Sequence, residues 1–126
     1  VLAEYGRTLK KMASRSVEVQ VTHNYMSKLE LINWCAENTV NVFPYYRNSP
    51  GLSAVTDQSI TANRPIIITD SIAFRHMHQY ISHYPEQSYS ELIVSTPKGV
   101  DKMRKEWTPE NFRGRFKTML MELGIL

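Results

Sequence analysis

The chain has 126 residues, enough for one domain and too few for two of ordinary size. With 42% hydrophobic and 21% charged residues it is neither disordered nor fibrous in composition. The net charge of +3 is carried by the two ends, while residues 16–97 are net acidic, so no continuous basic stripe runs through the chain.

Leu2 to Ala13 reads as a helix with Leu2, Tyr5, Leu9 and Met12 on one stripe. It starts at Val1 without a capping residue. Val17, Val19 and Val21 alternate with Glu18 and Gln20, the period of a strand. Ser27 followed by Glu30 is a capping box, and Met26 is placed to staple onto Leu31. The helix so begun extends to about Glu37 and turns Leu31, Ile32 and Cys35 inward, with Trp34 at its margin. Asn38 is predicted to end it in a left-handed conformation.

Val40, Val42 and Phe43 predict a second strand, stopped by Pro44. A polar loop from Tyr45 to Gly51 leads to a helix over 53–62, ended by Asn63 and Pro65. Pro65 to Thr69 is continuously apolar at its centre and predicts a strand buried on both faces. A short helix over 71–79, a fourth strand at Leu92–Val94, and helices over 97–105 and 109–123 complete the reading. The last has Thr108 as cap, Pro109 at its first position and Gly124 beyond its end. Alternating strands and helices predict a parallel sheet of Rossmann-like type with helices on both faces. In such sheets ligands bind at the carboxyl ends of the strands, where the loops 23–26 and 44–53 fall.

The second of these loops holds the strongest chemical candidate. Gly51 removes a side chain where a backbone must approach a ligand, and the N–H groups of Leu52 to Val55 open a helix. That combination suits a phosphate group. The competing reading is a plain turn at Pro50-Gly51, with Ser53 capping the helix.

Residues 41–53, Asn-Val-Phe-Pro-Tyr-Tyr-Arg-Asn-Ser-Pro-Gly-Leu-Ser, continue through Asp57-Gln58 to Asn63-Arg64-Pro65-Ile66-Ile67-Ile68-Thr69-Asp70. This stretch resembles the donor-binding motif of group 1 retaining glycosyltransferases with the GT-B fold. The resemblance implies that residues 1–126 are one Rossmann-like donor-binding domain, the C-terminal half of a two-domain glycosyltransferase. It implies a nucleotide diphosphate sugar as ligand and an N-terminal acceptor-binding domain of the same protein as partner, with no cofactor and no metal. By position, Arg47, Ser49, Gly51, Leu52, Ser53 and Ala54 would face the donor phosphates, Gln58 the ribose, and Asn24, Tyr25 and Met26 the base. The family often carries two acids eight residues apart, and Pro50 and Gln58 stand in their places. Gln58 keeps the capacity to bond hydroxyls, whereas Pro50 supplies no carboxylate. No catalytic residue is assigned. A GT-B-fold sugar-nucleotide epimerase and a non-catalytic nucleotide-binding or protein-interaction domain are the alternatives.

The remaining candidates point to structure. Base-stacking aromatics are not interleaved with the basic runs, so nucleic acid is not expected as a partner, while the basic faces suit peripheral contact with an anionic membrane. A lone Cys35 and the lack of a leader-like start favour a reducing, cytoplasmic setting. His76 and His78 would diverge on a helix, Ser49 and Ser53 have no sequence-local base, and Trp34 and Trp107 read as packing residues.

Overall fold

A computed structural model describes residues 2–126; Val1, on which the uncapped start was read, and the side chain of Leu2 lie outside the description. Among the described residues, five α-helices and one two-stranded parallel sheet make up a mixed α/β fold. The elements are α1 (Leu2–Met12), α2 (Lys28–Glu37), β1 (Asn41–Phe43), α3 (Thr56–Ala62), β2 (Ile66–Ile68), a 3-10 turn (Ile72–Phe74), α4 (Tyr89–Glu106) and α5 (Pro109–Glu122). Among the described residues no helix is long and apolar enough to cross a membrane.

The capping box at the start of α2 forms as its sequence requires. Glu30 N–H donates to Ser27 Oγ at 3.3 Å, and Ser27 N–H donates to the Glu30 carboxylate at 2.7 Å. Those bonds hold the Glu30 carboxyl below its ordinary pKa. At the other end Asn38 is extended, with φ −80° and ψ 148°, contrary to the left-handed expectation. The last carbonyls of α2 are satisfied from elsewhere: Asn41 Nδ2 donates to Cys35 O at 3.1 Å and Arg64 Nε to Ala36 O at 2.7 Å. With those acceptors filled, no left-handed cap is required. Asn63, after α3, does adopt it, with φ 56° and ψ 46°.

β1 and β2 pair in parallel, Asn41 against Ile66 and Phe43 against Ile68. All three β2 residues are buried, as their unbroken apolar run predicts. Ile66 and Ile68 join Ile60, Phe74, Met77, Ile81, Val100 and Met103 in the core. Cys35 is buried as well, and burial pushes its thiol pKa up against a smaller opposing effect of the Ser59 hydroxyl. Trp34, by contrast, is exposed.

Three predicted elements are corrected. Val17–Val21 forms no strand: the alternation is present, but among the described residues no neighbour supplies a hydrogen-bonded ladder, and Val21 instead packs on Gly6 of α1, where an added Cβ would meet its methyls at 3.0 and 3.1 Å. Leu92–Val94 lies inside α4, which begins with a second capping box, Ser88 with Glu91, and so starts eight residues ahead of the predicted 97. Pro97 sits within that helix. It is exposed, so the backbone bond it removes is lost where water can replace it. The helix predicted over 71–79 shrinks to the 3-10 turn, capped by Ser71 Oγ accepting from Ala73 N–H at 3.4 Å. The sheet is therefore two strands wide, smaller than the Rossmann-like sheet expected from the sequence.

α4 covers β2 with Leu92, Thr96, Gly99, Val100 and Met103, all buried. Thr96 Oγ1 donates to Leu92 O at 2.8 Å and accepts from Ile66 N–H at 3.3 Å, tying helix to strand. α5 follows its predicted bounds closely and buries none of its residues.

Candidate functional site

β1 and β2 run parallel, so the segments that follow Phe43 and Ile68 leave the pair at the same end. The loop 44–55 therefore starts at the carboxyl end of the parallel pair. That is the end where open α/β sheets take their ligands.

The segment after β1 is clamped onto the segment after β2. Thr69 Oγ1 donates to Tyr45 O at 2.8 Å, and Arg47 N–H donates to Ser71 Oγ at 2.9 Å. Ser53 N–H donates to Ala73 O at 3.0 Å. Beneath them the Tyr45 ring rests on Phe74, with centroids 5.0 Å apart, and its hydroxyl bonds Ser53 Oγ. The loop is thus held at three points along its length by buried or half-buried groups.

This geometry sorts the residues predicted to meet phosphate. Arg47, Ser49, Gly51, Leu52 and Ala54 are exposed on the loop. Ser53 is not: it is only 3% exposed, and both its N–H and its hydroxyl are engaged inside the protein. Its role is to fix the loop. The helix begins at Thr56, three residues later than predicted, because Leu52 and Ser53 are still loop and Ala54–Val55 form a turn first, closed by Asp57 N–H donating to Ala54 O at 3.2 Å. The N–H groups of Leu52, Ala54 and Val55 have no protein acceptor among the described residues. Arg47 folds its guanidinium over the Tyr45 ring at 5.8 Å from the centroid. A side chain added at Gly51 would enter open space.

Gln58 falls in the first turn of α3 rather than midway along the helix. With its nitrogen turned toward the helix start, its amide donates to Val55 O at 2.9 Å and to Ala54 O at 3.1 Å. The side chain therefore reaches back over the loop, and its oxygen remains able to accept. Of the base-facing candidates, Asn24 N–H donates to Thr22 Oγ1 at 3.3 Å, Met26 is half-buried, and Tyr25 is 94% exposed. No described hydrogen bond joins them to the loop 45–55.

Two features escaped the sequence reading. Tyr46, Asp70, Tyr84 and Tyr89 come together beside the loop, because an isolated parallel bridge pairs Thr69 with Tyr84. Partial desolvation, then the Asp70 carboxylate, Tyr84 and Tyr89, hold the Tyr46 hydroxyl above its ordinary pKa. No local pattern announces a contact between residues so far apart in the chain. On the other side of α3, His76 stacks on Trp107 with centroids 5.8 Å apart, and burial pulls the His76 pKa down. Trp107 there lines a cleft of about 450 Å³ with Asp57, Ile60, Thr61 and Arg104. His78 bonds Thr69 O at 3.1 Å, away from His76.

No family model, curated protein or solved structure matches this chain.

Proposed function

We propose that the chain is the donor-binding domain of a retaining glycosyltransferase of the GT-B kind, acting with an acceptor-binding domain of the same protein. The observation that supports this best is the clamped loop 45–55. It carries free N–H groups at Leu52, Ala54 and Val55 and has Gln58 reaching back over it, all at the carboxyl end of the parallel pair. In the reaction the bond between the sugar's anomeric carbon and the β-phosphate oxygen breaks, and a bond to an acceptor hydroxyl forms with the same configuration. The acceptor's hydroxyl proton passes to the departing β-phosphate oxygen as that bond forms. The charge growing on the leaving diphosphate is met by fixed backbone donors, which need no reorganisation as it develops. Ser53 holds the loop, and the exposed Arg47 adds a positive charge beside it. Tyr25 offers a free ring on which a base can stack. A second reading, a nucleotide-binding domain without catalysis, is favoured by Pro50, which has no carboxylate to offer the sugar.

The test is titration with uridine, adenosine and guanosine diphosphates, followed by amide NMR. At least one should shift Leu52, Ala54 and Val55. Gly51→Val points its side chain into open space, so it should leave the fold intact while blocking approach of the diphosphate and removing those shifts. Shifts that appear elsewhere, or that survive Gly51→Val, refute the assignment.

Gln58→Ala tests the ribose contact separately. Loss of a neutral hydrogen bond costs about 0.5–1.5 kcal/mol, so affinity should fall only a few-fold. The wild type should prefer the ribonucleotide over its 2′,3′-dideoxy analogue, and the variant should lose most of that preference. An unchanged preference removes Gln58 from the site.

A further inference from the structure

A second group of side chains stands at the same end of the sheet, and the nucleotide reading leaves it unused. Tyr45 and Thr69 turn inward, Tyr45 against Phe74 and Thr69 into a buried position. Their successors Tyr46 and Asp70 are exposed, and they stand side by side because the bonds Thr69 Oγ1 to Tyr45 O and Arg47 N–H to Ser71 Oγ tie the two segments together on either side of them. The Thr69–Tyr84 bridge, fixed by Tyr84 N–H donating to Ile68 O at 2.9 Å, adds a second ring. Tyr89, the first residue of α4, meets Tyr84 edge to face with centroids 5.1 Å apart. Tyr46, Tyr84 and Tyr89 are 60%, 42% and 45% exposed. Three large rings are thus held partly in water on neighbouring segments, with one carboxylate beside the first of them, at a cost in exposed apolar surface that packing alone does not require.

We propose that Tyr46, Asp70, Tyr84 and Tyr89 form a subsite for a neutral pyranose ring. A pyranose has apolar C–H faces and a rim of hydroxyls. Tyrosine rings offer flat apolar surfaces with a polar tip, and an ionised carboxylate accepts from two hydroxyls in short, charge-assisted bonds. The alternative ligand for aromatic rings around an acid is an organic cation. Here Arg47 lies on the adjoining segment, its backbone bonded to Ser71 next to Asp70, and its positive charge opposes a cationic guest. The subsite does not depend on the nucleotide reading, since none of its residues is assigned to phosphate, ribose or base. If that reading also holds, Asp70 supplies near the loop the carboxylate that Pro50 lacks.

The experiment is an NMR titration of the whole chain with methyl β-D-glucopyranoside, methyl β-D-galactopyranoside and methyl α-D-mannopyranoside, each set against tetramethylammonium chloride. At least one pyranoside should move the ring signals of Tyr46, Tyr84 and Tyr89 together, saturating in the millimolar range expected of so small a ligand. Asp70→Asn should weaken that binding about tenfold, the scale of a hydrogen bond to a charged group, and Tyr84→Ala should weaken it at least as much. Both positions are exposed, and an otherwise unchanged amide spectrum checks the fold. The proposal is overturned if no pyranoside moves these rings, if tetramethylammonium moves them more strongly, or if Asp70→Asn binds as the wild type does. Loss of nucleoside diphosphate binding in Gly51→Val should leave the pyranoside titration unchanged, which separates failure of one site from failure of the other.

Discussion

Gly99→Val should abolish cooperative folding, and Gly99→Ala should destabilise the chain by about 1–3 kcal/mol, the range of a strained, overpacked interior site. Gly99 lies in the buried face of α4. A Cβ placed there would overlap the carbonyl oxygen of Tyr80 and Cγ2 of Ile81, and would lie 2.9 Å from the Tyr80 carbonyl carbon. Two of those three atoms are backbone, so rotating a side chain cannot relieve the overlap. Alanine is favoured over glycine inside a helix by about 1 kcal/mol, and that gain is smaller than the cost of parting α4 from residues 80–81. The parting would also strip cover from Ile81, Val100 and Met103, which share the core with Ile66 and Ile68. Urea unfolding followed by circular dichroism measures the effect. A Gly99→Ala midpoint equal to or above that of the wild type would show that α4 approaches the 80–81 turn less closely than described. Gly114, on exposed α5, meets nothing within 4 Å on gaining a Cβ. Gly114→Ala therefore serves as the control and should be neutral or slightly stabilising.

What was legible in the sequence was whatever local chemistry decides. The capping box Ser27–Glu30, the stop at Asn63-Arg64-Pro65 and the buried run Ile66–Ile68 each act within a few residues, and each formed. Ser88–Glu91 carries the same capping signature as Ser27–Glu30 and forms the same bonds. The β-branched pair Ile93-Val94 and Pro97, both ordinarily poor in helices, oppose that signal locally. Tertiary packing decided otherwise: Leu92 and Thr96 are held against β2 from the helix side, and Pro97 faces water. Val17–Val21 failed in the opposite sense. Its alternation suits a strand, but a strand is stabilised only by a partner, and the pattern does not show whether one arrives.

The candidate site divides along the same line. The loop 44–53 could be placed from the order of Pro, Gly and the following helix, whereas Gln58 moved from mid-helix to the first turn because α3 starts at Thr56. The engagement of Ser53 could not, because its acceptor is Ala73, twenty residues on. Nor could the meeting of Tyr46 and Asp70 with Tyr84 and Tyr89, which depends on a bridge between Thr69 and Tyr84. Local signals thus located the loop, and long-range packing decided which of its groups remain free to bind.

Phe74→Ala should cost about 3–5 kcal/mol, the range for removing a large buried aromatic side chain, against a total stability of about 5–15 kcal/mol for a domain of ordinary size. Phe74 is fully buried in the 3-10 turn, 6.5 Å from the Phe43 ring and 5.0 Å from the Tyr45 ring. It therefore supports the last residue of β1 and the first residue of the clamped loop at once. With the ring gone, Tyr45 loses the surface it rests on, and its hydroxyl loses its hold on Ser53. The consequence reaches the site. Amide exchange at Ser53 and Arg47, whose N–H groups bond Ala73 O and Ser71 Oγ, should speed up more than global destabilisation accounts for. Phe74→Leu keeps most of the volume and should cost markedly less, because an apolar swap of similar size leaves a smaller cavity. Urea midpoints give the stabilities, and exchange measured at matched stability isolates the loop. If Ser53 and Arg47 then exchange no faster in Phe74→Ala than in an equally destabilised variant such as Met103→Ala, the Phe74–Tyr45 contact does not hold the loop, and the clamp rests on its backbone bonds alone.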